Sequence, residues 1–319
     1  MAPRSPLRGN ARADAAVGVH RMAVLTAGAT LALIFVGGVV TDTGSALAVP
    51  DWPTTFGYPM FLYPWSRMVG GILYEHGHRL IGSLVGVLTV ALAVGIWRAT
   101  LPRRVRVLGL IAVAAVIAQG VLGGLRVVLL QNTLGVVHGV LAQTFFALIA
   151  ALAVLTSREW AEAPPGGPVA GGAGLRRLSW LALGLIYLQI VLGAVVTHQG
   201  LGLHVHLMVG GLVAVLLLWL AARILGSHGD RRAIARPARL LAGLVTVQLF
   251  LGLGSYLSRF TAWGPAMPAS AALAFPLVHR LGGALLLGTA LVLALRTARL
   301  AGSRQPTVGG GRILDEVPA

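Results

Sequence analysis

Of the 319 residues, 56% are hydrophobic and 11% charged, and the mean hydropathy is +0.83, a balance that excludes a soluble globular domain and demands a polytopic membrane protein. The formal charge is +16, every one of the 25 basic residues is arginine, and there is no cysteine. Disulfides, thiolate metal sites, iron–sulfur clusters and covalent haem attachment are thereby excluded, and nucleic acid is not expected as a partner because the charge is spread over loop ends.

Apolar runs predict eight membrane helices, at 22–41, 72–97, 105–125, 134–156, 177–197, 203–225, 238–258 and 274–297, most close to the ~20 residues that cross a bilayer core. Helices are expected because a lipid-exposed backbone must satisfy its own hydrogen bonds and the alternation of a barrel is missing. Residues 1–21 read as a polar cytoplasmic tail followed by an uncleaved first helix, since no small-residue cleavage site trails it. Twenty arginines fall in the two tails and in the loops after the second, fourth and sixth helices, and only Arg67, Arg126 and Arg259 lie in the opposite set of loops. The positive-inside rule then places both termini in the cytoplasm, at the inner membrane of the cell.

Between the first two helices runs the longest outer loop, Thr41 to Gly70. Its Trp52, Phe56, Tyr58, Phe61, Tyr63 and Trp65 suit an interfacial position or a cover over a hydrophobic ligand. The second helix opens with Tyr74-Glu-His-Gly-His-Arg79, which holds the one carboxylate inside a predicted span, Glu75, three residues before His78 and so on the same face. An ionisable group at membrane depth suggests function; pairing with Arg79 or Arg67 is the structural alternative. His78 has counterparts near the starts of the fourth, sixth and eighth helices, His138, His206 and His279, and each is followed four residues on by a small residue, Gly82, Ala142, Gly210 or Gly283. Residues i and i+4 stack on one helix face, so every imidazole has a gap beneath it, which suits a flat metalloporphyrin lying against the helix. His76 and His204 are followed by Leu80 and Met208 and fail this test, although His204 replaces His206 if the sixth helix is rotated. His76 and His198 are left open, and His20 and His228 read as solvated cytoplasmic residues. No counterpart of Glu75 precedes the other three histidines, so the halves are not expected to be chemically equivalent. Arg79 and Arg280, each following a histidine, suit either pairing with haem propionates or snorkelling to outer headgroups.

The odd-numbered helices share the frame Gln-x-x-Leu-Gly at Gln119 to Gly123, Gln189 to Gly193 and Gln248 to Gly252, echoed at Leu33 to Gly37 without the Gln. Helix packing is the favoured reading, with lining of a cofactor as the other. The Pro- and Gly-rich residues 159–174 read as a flexible cytoplasmic linker. The expected organisation is thus an all-α membrane protein of eight transmembrane helices in two pseudosymmetric four-helix bundles. It runs as a tail (1–21), an N-terminal bundle (22–158), the linker (159–174), a C-terminal bundle (175–300) and a second tail (301–319), and two bundles with two facing histidines each could hold two haems.

Five segments together resemble the haem A synthase family: Thr43-Gly-Ser-Ala-Leu-Ala-Val-Pro-Asp-Trp-Pro53, Glu75-His-Gly-His-Arg79, Gly123-Gly-Leu-Arg-Val127, Val137-His-Gly-Val-Leu-Ala142 and Val278-His-Arg-Leu-Gly-Gly283. The resemblance implies oxidation of the C8 methyl of haem O to a formyl group, giving haem A for cytochrome c oxidase. It implies that Glu75 is catalytic, that His78 and His138 address the substrate haem iron and that His206 and His279 ligate a haem b. Expected partners are haem O, membrane lipid, a membrane electron carrier, haem O synthase and cytochrome c oxidase subunits. Many family members carry a loop cysteine pair where this chain has Val49 and Thr55, so a thiol relay is ruled out here. The rival class is a non-catalytic di-haem electron carrier, with a haem transporter behind it; prenyl transfer would need an Asp cluster for magnesium diphosphate that the chain lacks.

Overall fold

The computed structural model describes residues 6–99, 101–162 and 171–302. Among these residues eight long helices follow one another, with a long loop (43–70) only between the first two: α1 (Pro6–Asp42), α2 (Gly71–Arg98), α3 (Arg103–Leu129), α4 (Asn132–Leu155), then, after the four-residue α5 (Arg158–Ala161), α6 (Gly172–Gln199), α7 (Leu203–His228), α8 (Arg232–Phe260) and α9 (Ala269–Gly302). All eight are long and apolar enough to cross a membrane, and in each most apolar stretch between 11% and 44% of residues are buried within the protein. The apolar remainder faces outward, as lipid-facing surface should.

Each observed helix is longer than its apolar run, although α4 stops one residue short of its expected end, because hydropathy marks the part that wants hydrocarbon whereas backbone hydrogen bonding continues into the interface. The largest departure is α1, which is already helical at Pro6, so the stretch expected as a tail is mostly helix. The extension of α1 to Asp42 also brings a second carboxylate into the spans, correcting the expectation that Glu75 stands alone.

The first four long helices close a ring in which α1 touches α2 and α4 while α3 touches the same two; α6, α7, α8 and α9 close the same ring in the second half. Separate apolar cores fill the rings, one around Val85, Leu92, Ile96, Phe145 and Ile149, the other around Leu217, Leu220, Ile224, Leu241 and Leu293. The halves meet where α4 packs on α9 and α6 and where α1 packs on α9, over a small cluster of Ile34, Phe146 and Ala284.

Two details differ from the expected organisation. The start of the segment read as a flexible linker is docked: Ser157 caps α5 by accepting from the Trp160 N–H, Glu159 pairs with Arg296 at 2.8 Å, and the Arg299 guanidinium lies 4.8 Å from the Trp160 ring centre. Residues 163–170 of that segment lie outside the described residues, and from Gly172 the chain is already α6. His20, expected to be solvated, is half-buried and hydrogen-bonds through Nδ1 to the carbonyl of Ala153 at 2.9 Å, tying α1 to α4.

Candidate functional site

The four histidines come together as two facing pairs, one in each ring. His78 of α2 faces His138 of α4 with ring centroids 6.4 Å apart and planes at 78°, and His206 of α7 faces His279 of α9 at 6.3 Å and 79°. An imidazole nitrogen binds a transition metal at about 2 Å and lies about 1.1 Å from its ring centre, so two imidazoles on opposite sides of one metal stand about 6.2 Å apart. Both pairs meet that spacing. The Nδ1 atoms of His78, His138 and His279 are buried without a hydrogen-bond partner, which inside an apolar bundle costs roughly 1–3 kcal/mol each unless a ligand compensates. Among the described residues no group of three or more His, Cys, Asp or Glu could hold a bare metal ion. A pair of imidazoles with no third ligand fits a metal that carries its own equatorial donors, which is a metalloporphyrin.

The Gln-x-x-Leu-Gly frame turns out to buttress these histidines. Each ring lies against the frame's glycine on the preceding helix: a Cβ at Gly37 would stand 2.9 Å from Cε1 of His78, at Gly123 3.2 Å from that of His138, at Gly193 3.1 Å from that of His206 and at Gly252 3.0 Å from that of His279. The glutamines do a second job. Gln119, Gln189 and Gln248 donate from Nε2 to the backbone carbonyls of His138, His206 and His279 at 3.1, 2.8 and 2.9 Å. Leu33 stands where the fourth glutamine would be, so the His78 carbonyl lacks this brace. The small residues four places after the histidines also gain a local explanation beside the macrocycle: the amide of Gln189 lies 2.8 Å from where a Cβ on Gly210 would be, and Leu33 faces Gly82 at 3.9 Å.

His206 rather than His204 occupies the second pair; His204 is exposed on the outside of α7. Around the second pair is a cavity of about 460 Å³ lined by Gln189, His206, Gln248 and His279, with Arg259 and Arg280 also on its wall, a size common for cofactor pockets. Arg280 and Arg259 are both held by Asp42 at the end of α1, at 3.0 and 2.7 Å, and the Asp42 carboxylate is fully buried.

Glu75 is also buried, at 4% exposure, and both of its oxygens are engaged. Oε1 pairs with Arg79 at 2.9 Å, the pairing weighed above as the structural alternative, and Oε2 accepts from the Val49 N–H at 2.9 Å. Arg79 in turn donates to the carbonyls of Val49, Asp51 and Thr54. His76, which lacks a small residue four places on and is left open by the sequence, is 1% exposed, hydrogen-bonds Thr55 at 3.0 Å and packs on Tyr63. One turn of α2 therefore grips the loop between α1 and α2 at Val49 and Thr55, and both residues are fully buried.

Within the loop, Thr54–Thr55 pairs with Tyr58–Pro59 as a two-stranded hairpin, β1 and β2. Its turn residues Phe56 and Gly57 both have positive φ, 50° and 78°, the geometry of a tight two-residue hairpin, normally an Asn-Gly or Gly-Gly preference. The Asp51 carboxylate holds Phe56 there by accepting from the N–H groups of Phe56 at 2.7 Å and Gly57 at 2.9 Å. Burial opposes ionisation of Asp51, but the donors from Gly57, Thr54 and Phe56 outweigh it and hold its carboxyl below the usual range. Trp52 closes the arrangement by lying so tightly on Gly124 of α3 that no Cβ fits there, next to the glycine that seats His138. The loop is thus folded over the start of α2 and the end of α3, beside the first histidine pair.

With eight candidate membrane spans and one facing imidazole pair in each of two helix rings, the protein has residues that could hold a metalloporphyrin in each ring. The family model of COX15-CtaA, cytochrome oxidase assembly protein, matches residues 20–207, and the chain belongs to that family. It is similar to the haem A synthases of Shouchella clausii, at 35% identity over 37% of this chain and 38% of the relative, and of Alkalihalophilus pseudofirmus, at 30% over 55% and 58%. A haem A synthase of Methylobacterium sp. is 30% identical over 91% of this chain and 95% of its own length. The match thus spans about two fifths to three fifths of the first two relatives and nearly all of the third.

Proposed function

We propose that this chain is a haem A synthase, which oxidises the C8 methyl group of haem O to a formyl group, with the substrate between His78 and His138 and a resident haem b between His206 and His279. The observation that carries the reading is the doubled pair at 6.4 and 6.3 Å in a member of this family. Two successive two-electron oxidations take the methyl to an alcohol and then to a geminal diol, each adding the oxygen of one water and releasing two electrons and two protons, and the diol loses water to leave the aldehyde; the electrons leave to a membrane electron carrier. A haem b in the second half supplies one-electron transfer. The chain's own residues position and insulate. His78 and His138 hold the substrate from its two faces, the apolar helix walls exclude bulk water, and the loop pinned by Glu75, His76 and Arg79 roofs that half. Glu75, one turn before His78, is the proposed proton-handling group. The arginine distribution puts both termini in the cytoplasm of a cell with this protein in its inner membrane, and haem O synthase and cytochrome c oxidase subunits are the proposed protein neighbours.

The deciding experiment is pigment extraction from membranes that express this chain beside a source of haem O. Formyl haem is expected; its absence, with both pigments bound unchanged, would favour the di-haem carrier. Because the chain has no cysteine, formyl-haem production by the purified protein is expected to continue unchanged under a thiol-alkylating reagent, and inhibition traced to modification of this polypeptide contradicts that. The buttress makes a sharper forecast. Gly252→Val places methyl groups in the space held by the His279 ring, whereas Gly243 on the same helix has nothing within 4 Å. The Gly252 variant is expected to lose the six-coordinate haem b spectrum and Gly243→Val to keep it, which absorption spectra of the purified proteins will show.

A further inference from the structure

The two arginines that follow histidines, Arg79 and Arg280, are neutralised within the protein by Glu75 and Asp42. Arg126 is not. It lies half-buried in the last turn of α3, and its side chain makes no hydrogen bond or ion pair with any described residue. Its Nε lies 3.1 Å, and Nδ1 of His198 from α6 lies 3.0 Å, from the point where a side chain on Gly135 would begin. Gly135 is buried on α4, so both nitrogens point into the protein and away from lipid. His198 likewise has no hydrogen-bond partner among the described residues, and its Nε2 lies 3.8 Å from the corresponding point on Gly139. Its ring therefore spans the face of α4 between Gly135 and Gly139, which flank His138. A guanidinium and an imidazole, one from each half of the molecule, converge beside one ligand of the first pair; His198 also lines the cavity of the second pair, and neither group lies within ion-pair distance of a carboxylate among the described residues. An unpaired cation at this depth is costly, and a planar fork of donors matches a carboxylate best.

Resting on the reading of the first pair as the substrate site, we infer that Arg126 and His198 form the seat for a carboxylate side chain of the porphyrin held by His78 and His138. The N-terminal site is then completed by a residue of the C-terminal half. Anionic oxygens could also come from a lipid headgroup phosphate, and the assay separates the two.

Full-length protein, with its second half already loaded, is titrated with ferric protoporphyrin IX and, separately, with its dimethyl ester, and the added absorption that depends on His78 and His138 is followed. The free acid is expected to bind at least tenfold more tightly than the ester. Arg126→Gln and His198→Ala should each cut that ratio below threefold while leaving ester affinity unchanged, and Arg126→Lys, which keeps charge but loses the fork, should fall between. A ratio near one in the unaltered protein, which needs no variant to fold, overturns the seat, as does an unchanged ratio in Arg126→Gln. Loss of the ratio on adding phosphatidylglycerol assigns the cations to lipid phosphate and overturns it too. If neither porphyrin produces a spectrum dependent on His78 and His138, it is the substrate-site reading that fails.

Discussion

His206→Ala or His279→Ala is expected to abolish the low-spin haem b spectrum, whereas His78→Ala or His138→Ala should abolish conversion of haem O and leave that spectrum largely intact. The expectation follows from the separation of the pairs into two closed rings with their own cores, so that removing one imidazole opens one cleft without unpacking the other. Each half also has its own supports, Gly37 and Gly123 for the first pair, Gly193 and Gly252 for the second. The measurement is the reduced-minus-oxidised spectrum of each purified variant together with the formyl haem it produces. Equal loss of bound haem from all four variants would sink the division of labour. Loss of conversion should exceed a hundredfold, about 2.7 kcal/mol or more on the barrier, since a porphyrin held on one side only is no longer oriented.

Much of this was legible before any coordinates. Eight apolar runs gave eight helices because in a bilayer length and hydropathy decide the element almost alone. The four equivalent histidines could be picked out because a small residue four places on separates His206 and His78 from their neighbours His204 and His76. What the sequence could not convey was contact between helices. The Gln-x-x-Leu-Gly frame was visible as a repeat, but its task of seating and bracing a histidine on the next helix depends on the order of helices in the ring. Asp42 was missed because it lies one residue beyond the apolar run, and its value comes from Arg259 and Arg280, more than two hundred residues away. The docked start of the linker and the bond from His20 to Ala153 were hidden for the same reason: polar residues outside the apolar runs read as solvated until a partner from another helix is known. The fate of the cysteine-less loop was equally hidden. Glu75, His76 and Arg79 anchor it through backbone groups of Val49, Asp51 and Thr54 and the hydroxyl of Thr55, and backbone partners leave no mark in a sequence.

Glu75→Gln is expected to fold, keep the haem b spectrum and fail in oxidation, with the hydroxymethyl intermediate accumulating. Glutamine keeps the size of the side chain and its carbonyl oxygen can still accept from Arg79 or from the Val49 N–H, but it cannot take up a proton at neutral pH. The competing explanation is that Glu75 only anchors the loop, since its oxygens are spent on Arg79 and Val49. Removing one partner of a buried ion pair costs about 3–5 kcal/mol, softened here because Arg79 also has three carbonyl acceptors. An anchor would show itself as reduced protein yield with normal turnover per folded molecule, and Arg79→Gln would then reproduce Glu75→Gln. A proton carrier would show the opposite pattern, normal haem loading with turnover lost in Glu75→Gln and largely kept in the folded fraction of Arg79→Gln. Haem A formed per mole of purified, haem-loaded variant decides between them. A rate within about threefold of the unaltered protein, less than ~0.7 kcal/mol on the barrier, removes Glu75 from the proton-transfer chemistry and leaves it as the residue that holds the roof.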